Sequence, residues 1–176
     1  MGTPRIAGQS QAYLERQLEA YASGARKNAV MAEIAKALSA EQRKEVAAHY
    51  AQLTAPTRPA SQRRASARAR TLVTKGDQKR GVPPCESCHG RGGIGLAPAP
   101  YLAGQVTNYL KAALAEWKSG ARKTDPTGQM PHVAQKLSET DMRALAQYFG
   151  ALPAPQVAGR AAMGADSSGS GTGGTR

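Results

Sequence analysis

Two cysteines three apart, with a histidine directly behind them, form the run Cys85-Glu86-Ser87-Cys88-His89. Two thiols on one short turn can each add to a vinyl group of the same porphyrin. The next residue then lies under the iron, where its imidazole nitrogen can serve as the proximal ligand. The pattern reads as covalent attachment of a c-type haem. Two other chemistries also use C-x-x-C. A zinc site wants a second Cys/His pair at ligand spacing, but the chain has no other cysteine, and its other histidines are His49 and His132. A redox dithiol belongs at a strand end in a βαβ pattern, and none surrounds this turn.

The rest of the chain must supply the pocket. At 176 residues it has room for one or two small domains, and aromatics make up only 5%. Alanine, glycine and proline are abundant, which favours small helical domains with long loops, where a porphyrin supplies apolar core the chain lacks. Both cysteines are used by the motif, so no structural disulfide is expected. The net charge is +12, and residues 54–80 carry eight Lys/Arg against one acid. Such a stripe suits an acidic partner, an anionic membrane surface or nucleic acid. No aromatics are interleaved for base stacking, so nucleic acid is not expected and the arginines read as a solvated face. No apolar run is long enough to span a bilayer. Met1-Gly2-Thr3-Pro4 lacks the basic start and apolar stretch of a signal peptide. That conflicts with haem attachment, which in bacteria takes place outside the cytoplasmic membrane.

Apolar spacing predicts a helix over 10–23, with Tyr13, Leu14, Leu18 and Tyr21 on one face and Gly24 as its stop. An irregular stretch through Met31 follows. Ser39 with Gln42 forms a capping-box pattern that opens the next helix. Pro56 and Pro59 mark a linker over 54–61, and 62–75 reads as helical up to Gly76. Residues 90–96 must be loop. Residues 104–118 form another helix, ended by Gly120. After an irregular segment holding Met130, Ser138 caps a last helix. From Ala158 the Gly/Ser/Thr-rich tail has nothing to bury and is expected to be disordered.

The two halves match. Pro4 to Gln9 pairs with Pro100 to Gln105, Tyr13-Leu14 with Tyr109-Leu110, and Tyr21 with Trp117. Ser23-Gly24-Ala25-Arg26-Lys27 recurs unchanged as Ser119 to Lys123. After a three-residue gain, Met31 pairs with Met130, Leu38-Ser39 with Leu137-Ser138, and Tyr50 with Phe149. The repeat isolates the methionines. A methionine is often core filler. Beside a haem, however, a thioether on a flexible loop can reach the iron from the face opposite His89, and Met/His ligation raises the reduction potential. Met130, stiffened by Pro131, is the candidate distal ligand. His132 is its rival, but its repeat partner is Glu33 whereas Met130's is Met31, so His132 reads as a surface residue. His49, on a helix with no partner cysteine, reads as structural.

Cys85-x-x-Cys88-His89 with Met130, in a tandem duplication, resembles the class I dihaem cytochromes c of the cytochrome c4 kind. Ala103-Gly104-Gln105, Tyr109-Leu110, Gly120-x-Arg122, Met130-Pro131 and Tyr148-Phe149 complete one such domain over about 62–153. The resemblance implies an all-α fold of tandem cytochrome c-like domains, the first incomplete, with a disordered tail. The divisions are a partial domain at 1–53 without C-x-x-C-H, a linker at 54–61, a complete domain at 62–153 and the tail at 154–176. It implies Cys85 and Cys88 as thioether anchors, His89 as proximal ligand, Met130 as distal ligand, and Met31 as an orphan distal ligand.

The first copy lacks its attachment motif, since Met1 corresponds to Ala97. Either that copy is a relic, or the chain starts at an internal methionine of a longer protein bearing a signal peptide and a second motif. The second account explains both absences and is the expectation. One haem c then belongs to this chain and a second to a full-length form. The expected function is one-electron transfer in the periplasm, not enzymatic turnover, because His89 and Met130 leave no open site for oxygen or peroxide. Redox proteins such as an oxidase, reductase or dehydrogenase, docking through an acidic surface, are the expected partners, with association at a membrane surface. The alternatives are a cytochrome subunit of a membrane-associated dehydrogenase or oxidase complex and, below it, a zinc-stabilised basic binding protein. Neutralising Arg63, Arg64, Arg68 and Arg70 is the test of basic docking.

Overall fold

The computed structural model describes residues 2–55 and 66–156. Among these residues the regular structure is helical throughout. In the first repeat, α1 (Gln11–Ser23) starts where the Ser10 side chain accepts the Tyr13 N–H at 3.5 Å. It stops at Gly24, as the sequence predicts. α2 (Ala29–Ala37) and α3 (Ala40–Gln52) both pack on α1. The capping box of α3 is complete: Ser39 Oγ accepts the Gln42 N–H at 3.2 Å, and Gln42 Oε1 accepts the Ser39 N–H at 2.8 Å.

The second repeat is preceded by α4 (Ala67–Thr74) and α5 (Glu86–His89), and consists of α6 (Thr107–Ser119), α7 (Gln129–Lys136) and α8 (Glu139–Ala151). α7 and α8 pack on α6 as α2 and α3 pack on α1, and α4 lies against α8. The backbone repeats in detail. Gly8 N–H donates to Tyr50 O at 2.9 Å, and Gly104 N–H to Phe149 O at 2.8 Å. α6 ends at Gly120 with φ 75°, where a side chain would cost roughly 1–2 kcal/mol.

One expectation is corrected. Met31 and Met130 do not sit in irregular loops; each is in the first turn of a helix. Asn28 Oδ1 accepts the Met31 N–H at 2.9 Å and starts α2. Asp125 Oδ2 accepts the Met130 N–H at 2.7 Å at the start of α7. Pro131 falls within that first turn, where its missing N–H costs no intrahelical bond.

The apolar core is concentrated in the second repeat: Leu72, Val73, Val82, Leu110, Leu137, Met142, Leu145, Ala146 and Phe149 cluster there, with Cys85, Leu102, Val133 and Leu152 against them. In residues 2–55 the buried apolar residues are Leu14 and small alanines such as Ala20, Ala35 and Ala47. Val30, Ile34, Ile6 and Leu53 are exposed. At the other end Ala154 is buried, and a side chain on Gly104 would strike it. Most of the linker and tail, residues 56–61 and 157–176, lies outside the described residues, as do Arg63 and Arg64.

The halves meet about a quasi-two-fold. Gln9 brackets the backbone of Tyr101, accepting its N–H at 2.9 Å and donating to its carbonyl at 3.3 Å. Gln105 does the same to Arg5, at 2.7 and 2.8 Å. Arg26 donates to Tyr109 Oη, and Arg122 to Tyr13 Oη, both at 3.0 Å.

Candidate functional site

The C-x-x-C-H turn is held from both sides. Before it, Asp77 and Val82 exchange backbone hydrogen bonds of 2.7 and 2.9 Å, closing the loop that leads in from α4. Gly76 lets that loop fold tightly: its φ is 73°, and a Cβ there would collide with the Val82 carbonyl oxygen and lie 2.8 Å from Pro83 C and Pro84 N. Cys85 N–H then donates to Leu72 O at 3.3 Å, tying the turn to α4. After it, Gly95 N–H returns to His89 O at 2.7 Å, and Leu102 and Ala103 N–H both reach Gly93 O. Gly92 N–H donates to Glu86 Oε1 at 2.8 Å.

Within this frame the three motif residues differ. Cys85 packs against the core, and burial pushes its thiol up to about 11. A redox dithiol needs the opposite, a thiol drawn below its ordinary value. Cys88 is exposed. His89 is buried, with Nδ1 2.8 Å from Pro100 O. A carbonyl oxygen can only accept, so Nδ1 carries the proton and the Nε2 lone pair is left as a metal donor. Burial draws the imidazole pKa down, against the Pro100 carbonyl, and keeps the ring in its neutral, ligating form. Among the described residues no group of three or more His, Cys, Asp or Glu converges to hold a bare metal ion.

Met130 is half-buried on α7, one turn before Val133, which packs against the same core as Cys85. Asp125, which takes its N–H, is pushed up by partial burial, but the Met130 and Thr127 donors outweigh this and hold its carboxyl below the usual range. Met31 has the equivalent place on α2, and its repeat contains no cysteine. His132 is exposed. His49 is exposed too, edge-on to Tyr50 with ring centroids 5.5 Å apart.

One basic residue is reassigned. Arg68 is not simply part of a solvated face: Nε pairs with Asp141 at 2.8 Å and Nη2 with Asp77 at 2.9 Å, joining α4 to α8 and to the lead-in loop. Sequence reading also gave no role to Arg26 and Arg122, although the repeated Ser-Gly-Ala-Arg-Lys run contains both. Both are buried.

Comparison with known proteins decides the family. Residues 79–149 match the family described as cytochrome c oxidase, cbb3-type, subunit III. The chain is 40% identical over 155 residues to the thiosulfate dehydrogenase electron acceptor of Thiomonas intermedia (strain K12), covering 86% of this chain and 71% of the relative. Reduced recombinant cytochrome c4 from Pseudomonas stutzeri superposes with a TM-score of 0.78 at 30% identity, over 85% of this chain and 84% of that one. The chain belongs to the class I cytochromes c, of the cytochrome c4 kind. Its fold of tandem helical cytochrome domains, its haem c cofactor and its electron-carrying function follow from that membership. A thiosulfate dehydrogenase from Marichromatium purpuratum also superposes, with a TM-score of 0.78 at 38% identity over 86% of this cytochrome, which spans only 33% of that longer chain. Among the described residues no helix of the cytochrome is long and apolar enough to cross a membrane.

Proposed function

We propose that Cys85 and Cys88 carry haem c through two thioether bonds, with His89 Nε2 as proximal and Met130 Sδ as distal ligand. The observation that carries this reading is the 2.8 Å contact between His89 Nδ1 and Pro100 O, which fixes the tautomer and leaves one nitrogen for iron. When bound, the haem supplies one-electron Fe(III)/Fe(II) exchange. The residues do the rest. Cys85 anchors one edge from the core, while Cys88 is exposed, as are Ile94 and Leu96 in the loop that follows the motif, and this exposed side is where electrons enter and leave. Arg26 and Arg122 are buried, with no carboxylate in ion-pair distance among the described residues, and haem carboxylates would offset their charge. The test is acid-acetone extraction. Colour retained by the protein, and lost from a Cys85→Ala/Cys88→Ala variant, is the expected result; a colourless, zinc-containing protein would overturn the reading.

We infer that a periplasmic dehydrogenase is the electron donor, because a relative 40% identical is named as a thiosulfate dehydrogenase electron acceptor. Mixing the oxidised cytochrome with a thiosulfate dehydrogenase and thiosulfate should reduce it, and an unchanged visible spectrum would refute the pairing. A subunit role in an oxidase complex is favoured only by the match over 79–149. Docking through an acidic partner surface stays part of the proposal, without Arg68, whose guanidinium is engaged in ion pairs.

The first repeat is read as the seat of a second haem in a full-length form, with Met31 as its distal ligand. Ile6, Ile34 and Leu53 are exposed, whereas their equivalents Leu102, Val133 and Leu152 pack on the core that α4 and the haem-attachment turn complete. A counterpart of residues 66–99 would cover that face. Haem-to-protein stoichiometry of the native protein decides: two per chain supports this, one refutes it.

A further inference from the structure

The short helix that carries Met130 is fastened at both ends. At its start, Asp125 takes the Met130 N–H. At its other end Leu137 N–H closes on Ala134 O, and the carbonyls of Gln135, Lys136 and Leu137, beyond the reach of helical N–H groups, each receive a cation. Lys118 Nζ, from α6, donates to Gln135 O at 3.2 Å and to Leu137 O. Arg80 Nη1 donates to Lys136 O at 3.1 Å and, at 2.9 Å, to Asp141 Oδ2 on α8. Arg80 comes from the lead-in loop, five residues before Cys85, and its Nε is fixed by Asp77 at 2.9 Å. That loop is itself locked by the Asp77–Val82 backbone pair and by the close approach at Gly76.

The chain that delivers the proximal side is therefore bonded directly to the end of the helix that bears the distal side. The first repeat is built differently. Arg43, on α3, donates to Ala35 O at 2.9 Å and Leu38 O at 2.7 Å, and so closes the end of α2 from within its own repeat. Gln42 stands there in place of Asp141. One more feature sets Arg80 apart. Its Nη2 is buried without a hydrogen-bond partner among the described residues.

We propose that Arg80, assisted by Lys118, is a positioning residue that sets the register of α7 and so holds the Met130 thioether against the iron. This rests on the assignment of Met130 as distal ligand. Loosening the clamp leaves the fold and the thioether bonds in place but populates states in which the sixth position is open. An external ligand then competes better, because its apparent affinity rises with the fraction of open sites.

The experiment is imidazole titration of the oxidised holoprotein, followed by the near-infrared charge-transfer band of Met ligation, with far-ultraviolet circular dichroism alongside. Arg80→Gln should bind imidazole about tenfold more tightly, which corresponds to about 1.4 kcal/mol, with unchanged helicity. Lys118→Gln should shift it in the same direction, Arg80→Lys should recover most of the native affinity, and Ser39→Ala, in the first repeat, should not move it. Native imidazole affinity in Arg80→Gln overturns the proposal. So does a band that disappears only together with the circular dichroism signal, since that is a merely structural role. If Met130→Ala keeps the band, the ligand assignment itself fails, and the proposal falls by that separate route.

Discussion

Arg26 and Arg122 lie side by side across the seam between the repeats, paired antiparallel through their backbones, and both reach the same acceptor. Gln17 Oε1 takes Arg26 Nη1 at 3.0 Å and Arg122 Nη2 at 2.7 Å. The quasi-two-fold breaks here, since Ala113 stands at the position equivalent to Gln17. Gln17→Leu is therefore expected to strand donors on two buried guanidiniums and to destabilise the protein by about 1–3 kcal/mol. Urea denaturation measures it, and a midpoint equal to wild type would mean the seam does not depend on this bond.

Gly76 and Gly120 share a positive φ but differ in surroundings. A Cβ at Gly120 meets nothing within 4 Å, so Gly120→Ala should cost only the backbone strain, roughly 1–2 kcal/mol. At Gly76 the obstacles are backbone atoms of Val82, Pro83 and Pro84, which cannot rotate away. Gly76→Ala should cost about 3 kcal/mol or more and should lower haem incorporation, because the lead-in to Cys85 must shift. Equal thermal midpoints for the two variants would contradict this ranking.

Asp141 gives a pH dependence with a definite sign. Burial pushes its carboxyl up, but the Arg68 and Ser138 donors prevail and hold it below the ordinary carboxylate value. As pH falls, the unfolded chain takes up this proton first. The stabilisation is complete above the ordinary aspartate pKa of about 4 and is lost as pH falls through the folded value. Asp141→Asn, which removes one of the two carboxylates that Arg68 and Arg80 share and leaves them only Asp77, should cost about 1–3 kcal/mol at neutral pH. The gap from wild type should narrow in acid. A gap that widens below pH ~4 would show the sign to be wrong.

Much of this architecture is local, and so legible in the sequence. The Ser39–Gln42 capping box, the Ser138 cap and the stops at Gly24 and Gly120 depend on residues within one or two turns of each other. The repeat adds the pairing of Met31 with Met130, and Cys85-x-x-Cys88-His89 is contiguous. What was not legible is distant or carried by single side chains. α2 and α7 are too short for periodicity to declare them, and each starts on one side-chain oxygen, from Asn28 and from Asp125. Arg68 finds Asp141 across 73 residues, and Arg122 finds Tyr13 across 109. A run of arginines therefore reads as a solvated face until folding shows which carboxylates meet it.

Ile34 and Val133 test how far the two repeats have diverged in their surroundings. They are equivalent by the repeat, each one turn after its methionine. Ile34 is 48% exposed, whereas Val133 packs against the second repeat's core. A carboxylate placed at Val133 must be desolvated or must push α7 off that core, so Val133→Glu should cost about 2–3 kcal/mol. It should also weaken the near-infrared band, since Met130 rides on the same helix. In the 176-residue chain, Ile34→Glu should stay within about 0.5 kcal/mol of wild type, because water already reaches that side chain there. Differential scanning calorimetry of the two variants compares them directly. Similar losses would mean that the first repeat's apolar face is covered in solution, by a second copy or another segment, and that its exposure does not describe the working protein.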